Sequence, residues 1–202
     1  MRFPHHARMS VTRREEKDRR LEAFVARGLE ARAALTQPAA TALGAPCAIT
    51  AIARSVQSPV VKTIATHARE IAAAGGTVRL LLARPDGLAA SGALAAVGAA
   101  ALACEVRLAR NPRLIEAHEQ LTIGARVAWT GDTMRRDPAT SDAYECFVED
   151  CPEITAAAAA TFERLWGDGA PLAEVAPPLA AAEAAGAPKG AISTGTLARR
   201  SQ

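Results

Sequence analysis

Aromatic side chains are scarce in this chain of 202 residues, at 3%, and lysine is scarcer still, with three against 21 arginines. The hydrophobic fraction of 50% overstates what can fill a core, because 50 of the residues are alanine. A modest set of Leu, Ile and Val remains, enough for one domain with both faces of a sheet covered and too little for two. Charged residues at 22% exclude a wholly disordered chain. The Arg and Ala excess reads as genome composition and carries no functional weight. An excess of charge of one sign is also missing. The formal net charge is +3, with +4 in residues 1–20, +1 in 169–202 and −2 in the body between them. The body therefore has no bulk attraction for nucleic acid, and no interleaving of aromatic and basic residues marks a single-strand groove.

Cysteine pairing is absent too. Cys47, Cys104, Cys146 and Cys151 form no C-x-x-C and have no histidine at ligand spacing, which excludes a disulfide framework and a zinc site by pattern. Three of them fall in apolar, strand-like runs, where a free thiol behaves as a small hydrophobe. No metal or other cofactor is expected. The start, MRFPHHARMS, lacks the apolar stretch of a secretory leader. Residues 87–104 carry no charge for 18 positions, long enough in principle for a membrane span. Their large apolar groups are only Leu88, Leu94, Val97 and Leu102, so the segment reads as a crossover helix packed on a sheet. The charged helix start lacks an apolar face for lipid. A soluble, cytoplasmic protein is expected, and the chain has no internal repeat.

What is present is alternation. Residues 1–11 read as a disordered extension and 12–42 as an N-terminal helical segment. Thr12-Arg13-Arg14-Glu15 has the form of a capping box. The helix carries Leu21, Phe24, Val25, Leu29 and Leu35 on one face, and its first turns, RREEKDRR, should be solvated. It ends near Gln37-Pro38. CAITAIA (47–53) reads as a buried strand, Ser58-Pro59 opens a helix through Ala74, and Gly75-Gly76 closes it. TVRLLLA (77–83) is a second strand, 89–101 a helix and CEVRLA (104–109) a third strand. Short connections between them predict a parallel sheet with right-handed crossovers. Then the character changes. Residues 114–123 and 126–130 read as strands joined at Gly124-Ala125, a hairpin. YECFVE (144–149) is a further strand, and Pro152 opens a last helix over 154–166 with Phe162, Leu165 and Trp166 facing inward. Residues 169–202 read as an Ala/Pro-rich disordered tail.

Within this pattern one stretch carries chemistry: Ala117-His118-Glu119-Gln120-Leu121-Thr122-Ile123, returning as Arg126-Val127-Ala128-Trp129-Thr130-Gly131-Asp132. Hairpin geometry brings His118 and the Gly131–Met134 backbone to one end of the sheet, with Gly131 at a tight turn. Glu145, on a later strand, is of the type that orients an imidazole.

These residues, in this order, resemble the phospholipase D superfamily over roughly residues 46–168. The strand CAITAIARS, the strand GGTVRLLLA, the His118 hairpin, Gly131, Glu145 and the closing F-x-x-L-W follow the family's sequence of elements. The resemblance implies an α/β fold, a mixed sheet flanked by helices, preceded here by the N-terminal helix. The family motif is H-x-K-x4-D, followed by G-S-x-N and a later Glu. Its His attacks phosphorus to form a phosphohistidine, a second His protonates the leaving alkoxide, Lys and Asn hold phosphate oxygens, and the Glu orients a His. His118, Gly131 and Glu145 match. Gln120 stands at the Lys, Ala125 at the Asp, Asp132 at the Ser and Met134 at the Asn. A phosphodiester is anionic and its transition state spreads that charge over the equatorial oxygens. Gln120 offers only a neutral donor, Asp132 adds repulsion, and Arg135 and Arg136 just beyond stand where they can supply charge.

Three readings follow. In the first, the chain is a cytoplasmic, bacterial-type phospholipase D-like protein that is catalytically degenerate and acts in binding or scaffolding. A single motif supplies one His, so this reading pairs two chains about a two-fold axis. In the second it is an active, metal-independent phosphodiesterase of nuclease or phospholipase class. There His118 and Glu145 are catalytic, and Gln120, Gly131, Thr133, Arg135 and Arg136 face a phosphodiester or other anionic ligand. In the third it is an unrelated α/β domain in which His118 is structural.

Overall fold

The computed structural model describes residues 5–35, 48–86, 92–110, 117–134 and 144–172. Side chains of the first helix, α1 (His5–Leu35), are described over 15–33. Three parallel strands form the centre of the sheet: β1 (Ala48–Ala53), β2 (Thr77–Leu82) and β3 (Ala103–Ala109). Between them run α2 (Pro59–Thr66), α3 (Ala68–Ala73) and α4 (Gly92–Ala99). Beside β1 lies the antiparallel set β4 (His118–Ile123), β5 (Val127–Thr133) and β6 (Cys146–Val148). After α5 (Pro152–Gly167), the short β7 (Gly169–Pro171) pairs antiparallel with β3. The sheet order is β6-β5-β4-β1-β2-β3-β7. The fold class is the one the sequence implied, α/β with a mixed sheet, flanking helices and an N-terminal helix.

The two faces are covered unequally. On one, Leu21, Phe24 and Val25 of α1, Val60, Val61 and Ile64 of α2, and Ile71 of α3 pack on Ile49, Val78, Leu80, Leu121, Ile123 and Trp129. On the other, among the described residues, α5 sets Phe162 and Trp166 against Ile52, Leu81 and Met134. Alternation along each strand sends its successive side chains to these two layers. Gly75 (φ +65°) takes the left-handed conformation that ends α3, with its N–H and that of Gly76 bonded back to Ala72 and Ile71 carbonyls at 2.9 and 2.8 Å.

Several boundaries differ from the sequence reading. α1 begins at His5, so Thr12 and Glu15 lie inside the helix instead of capping it; no Gly or Pro interrupts residues 5–11. The helix expected over 59–74 is broken at His67, whose Nδ1 lies 2.7 Å from Glu70 Oε2. Gly131 belongs to β5, not to a turn, and Glu145 precedes β6. β7 falls in the stretch read as tail, whose remainder (173–202) lies outside the described residues, as do Cys47, Arg135 and Arg136. Among the described residues no helix is long and apolar enough to cross a membrane. Cys104, Cys146 and Cys151 are free thiols. Burial pushes the Cys104 thiol up to about 11, so it stays protonated near neutrality.

Candidate functional site

Strand alternation sorts the β4 side chains. Gln120 and Thr122 face α5: Gln120 Nε2 donates to the Ala158 carbonyl at 2.9 Å, and the Thr122 and Thr50 hydroxyls are 2.6 Å apart. Glu119 and Leu121 face α1 and α2. The buried Glu119 Oε1 accepts from Ser58 Oγ at 2.6 Å and from the Arg54 backbone N–H at 3.0 Å. His118 shares the α5 side and heads a groove of about 590 Å³ that also takes in Gln120, Thr130, Thr161 and Arg164.

The β4–β5 register explains how the histidine is held. His118 pairs with Thr133 and Gln120 with Thr130, so Glu119 opposes two residues, Gly131 and Asp132, in a β-bulge. His118 Nδ1 lies 2.7 Å from the Gly131 carbonyl. A carbonyl only accepts, so Nδ1 carries the proton and Nε2 of the neutral ring keeps its lone pair. The ring also lies against Tyr144, with centroids 5.3 Å apart. Glycine at 131 has a packing cause: a Cβ there would come within 2.5 Å of Trp129 Cη2. The position expected to give a tight turn instead makes room for a buried indole.

Asp132 is fully buried and its Oδ2 lies 3.0 Å from Lys17 Nζ of α1, while Oδ1 accepts the Tyr144 N–H at 3.1 Å. Two expectations change here. Lys17, in the run read as solvated, is 4% exposed. Asp132, read as repelling a bound anion, is neutralised from the α1 side. Glu145 is also engaged: Oε1 accepts Trp129 Nε1–H at 3.3 Å and Oε2 pairs with Arg20 at 2.9 Å. The imidazole's Nδ1 partner is the Gly131 carbonyl, so the orienting role given to Glu145 passes to the backbone. Met134, at the position matched to the family's Asn, is buried against α5. The Thr133 carbonyl accepts from Arg54 Nη2 at 3.0 Å.

The structure thus brings together His118, Gln120, Gly131 and Thr133 and sets Glu145 with the α1 contacts. Sequence reasoning missed Lys17, Arg54, Glu119 and Arg164. Arg164 lies in the F-x-x-L-W segment read only for its inward face; the others carry no local motif, and only their partners across the fold reveal them.

No family model matches this sequence, and no curated protein is similar to it. Among solved structures the chain is similar to Nuc, a phospholipase D family member from Salmonella typhimurium, at 12% identity. That similarity covers 63% of this chain and 83% of the other, with a TM-score of 0.42.

Proposed function

We propose that the chain is a phospholipase D-like domain protein, degenerate in phosphoryl transfer, that binds an anionic phosphoryl group at His118 and works as a two-fold dimer. The observation that carries this reading is the engagement of Gln120. In the family that the sequence resembles, that position holds the lysine that neutralises the phosphate. Here it holds an uncharged amide, one of whose two N–H donors is already bonded to the Ala158 carbonyl. The position of the phosphate-binding Asn is a buried methionine. Loss of one preorganised donor costs about 3 kcal/mol in a barrier of this kind, and here two are lost together.

One observation favours the second reading, an active phosphodiesterase: the Gly131 carbonyl leaves His118 with its lone pair on Nε2, the tautomer a nucleophile needs. Hydrolysis of bis(p-nitrophenyl) phosphate in EDTA separates the two. The proposal expects equal, background release of p-nitrophenol by the protein and by His118→Ala, from a species of twice the 21.0 kDa chain mass in light scattering. Turnover that disappears in His118→Ala establishes the second reading instead.

A further inference from the structure

We infer that Arg54 is the cationic anchor of a tetrahedral-oxyanion site beside His118, a substitute, supplied from just beyond the end of β1, for the charge that Gln120 lacks. The inference deepens the anion-binding reading above and rests on it.

Register places the residue. β1 and β4 pair antiparallel from Ile49↔Ile123 to Ile52↔Gln120, and the same ladder continued by two residues sets Arg54 opposite His118. On the other side His118 pairs with Thr133. The Arg54 Nη2–H donates to the Thr133 carbonyl at 3.0 Å, so the side chain reaches from just beyond β1 to β5 at the end of β4 where His118 stands.

Its electrostatics are unusual for this protein. Arg54 is 8% exposed, and its Nε is buried with no hydrogen-bond partner among the described residues. Among those residues no carboxylate pairs with it, whereas the other buried cation, Lys17, has Asp132 at 3.0 Å. Oε1 of the adjacent Glu119 is occupied by the Arg54 backbone N–H and by Ser58 Oγ. A buried charge without a counter-ion is costly, and the guanidinium's Nε–H is a buried donor with no acceptor among the described residues. Both deficits are met by an anion that brings its own charge and several acceptor oxygens. Guanidinium geometry suits phosphoryl and sulfate oxygens bidentately. His118 Nε2, once protonated, adds a donor from the groove that Arg164, Thr130 and Thr161 also line, while Arg54 reaches the same strand end through the Thr133 carbonyl, outside that lining. A tetrahedral group presents oxygens in these several directions, which a planar carboxylate does not.

The test is a titration of the ¹⁵N-labelled full chain with inorganic phosphate, followed by NMR at the Arg54 Nε–H and the His118 ring nitrogens. Both signals move saturably and together, and acetate at equal concentration leaves them in place. Arg54→Gln weakens phosphate binding about tenfold or more, as loss of a charged hydrogen bond does, while Arg54→Lys, which keeps the charge but not the fork, retains only part of it. Unchanged affinity in Arg54→Gln overturns the assignment, as does an equal response to acetate or an Arg54 signal in the native chain that phosphate does not move. The native-chain signal needs no variant, so a folding defect in Arg54→Gln leaves the test decisive. Phosphodiester turnover by a protein whose phosphate binding depends on Arg54 rejects the degenerate reading and keeps the site.

Discussion

Lys17 and Asp132 illustrate how far a single pair can reorganise a site. They are 115 residues apart in sequence, meet at 3.0 Å, and are almost wholly shielded from water. Breaking such a pair leaves one charge buried and uncompensated, which costs about 3–5 kcal/mol. Lys17→Met is therefore expected to lower the unfolding free energy by that much, read as a lower urea midpoint at constant slope, and Lys17→Met with Asp132→Asn to recover most of it. The sequence does not disclose the pair, because RREEKDRR is charged all round and a charge run is ordinarily a solvated face. Arg54 is hidden for a similar reason: ARSVQS is an unremarkable strand exit, and the residue acquires meaning only from the β4 and β5 neighbours. His118 was legible because its neighbours carry a recognisable order. The partners that hold its ring were not, since a backbone carbonyl has no signature in sequence.

At the scale of elements, the β5 bulge governs the site. Its extra residue, at Gly131-Asp132, aims the Gly131 carbonyl at His118 and sends Asp132 to α1. Thr130-Gly131-Asp132 reads as a turn by composition, so the sequence ends the strand at 130, whereas β5 continues to Thr133. The glycine is required by the Trp129 indole, not by backbone freedom. Gly131→Ala should force the indole or the bulge to move and cost about 1–3 kcal/mol, the usual range for overpacking. A drop in denaturation midpoint together with a shifted Trp129 emission would be the sign of it; an unchanged spectrum and midpoint would show that the indole does not fill that space. The other elements were predictable where periodicity and punctuation agree. β1, β2 and β3 lie within a residue of their expected bounds, and the Gly75-Gly76 stop falls where it was read. The start of α1 was misread because a capping-box pattern inside a long helix is indistinguishable from one at its end.

Across the whole molecule, the alternating first half predicted parallel strands and the second half an antiparallel hairpin, and the mixed sheet contains both. Two features lay beyond sequence: which face each helix covers, and the return of 169–171 to pair with β3. The first matters for function. α1 covers one face, pairing with Asp132 and Glu145, while among the described helices α5 walls the groove at His118. Charged groups that would oppose an anion are thus held on the α1 side. On this account the domain keeps an oriented imidazole and a buried cation but lacks the phosphate clamp that turnover needs.

The most direct measurement is the intact mass of the chain after incubation with bis(p-nitrophenyl) phosphate in EDTA, quenched at alkaline pH, where a phosphohistidine linkage survives. A nucleophilic His118 would form an N–P bond as p-nitrophenolate leaves, adding one p-nitrophenyl phosphoryl group in place of the ring proton. The account predicts the unmodified mass at every time point, for the native chain and for His118→Ala alike. A phosphoryl adduct that appears on the native chain and is absent from His118→Ala would contradict it.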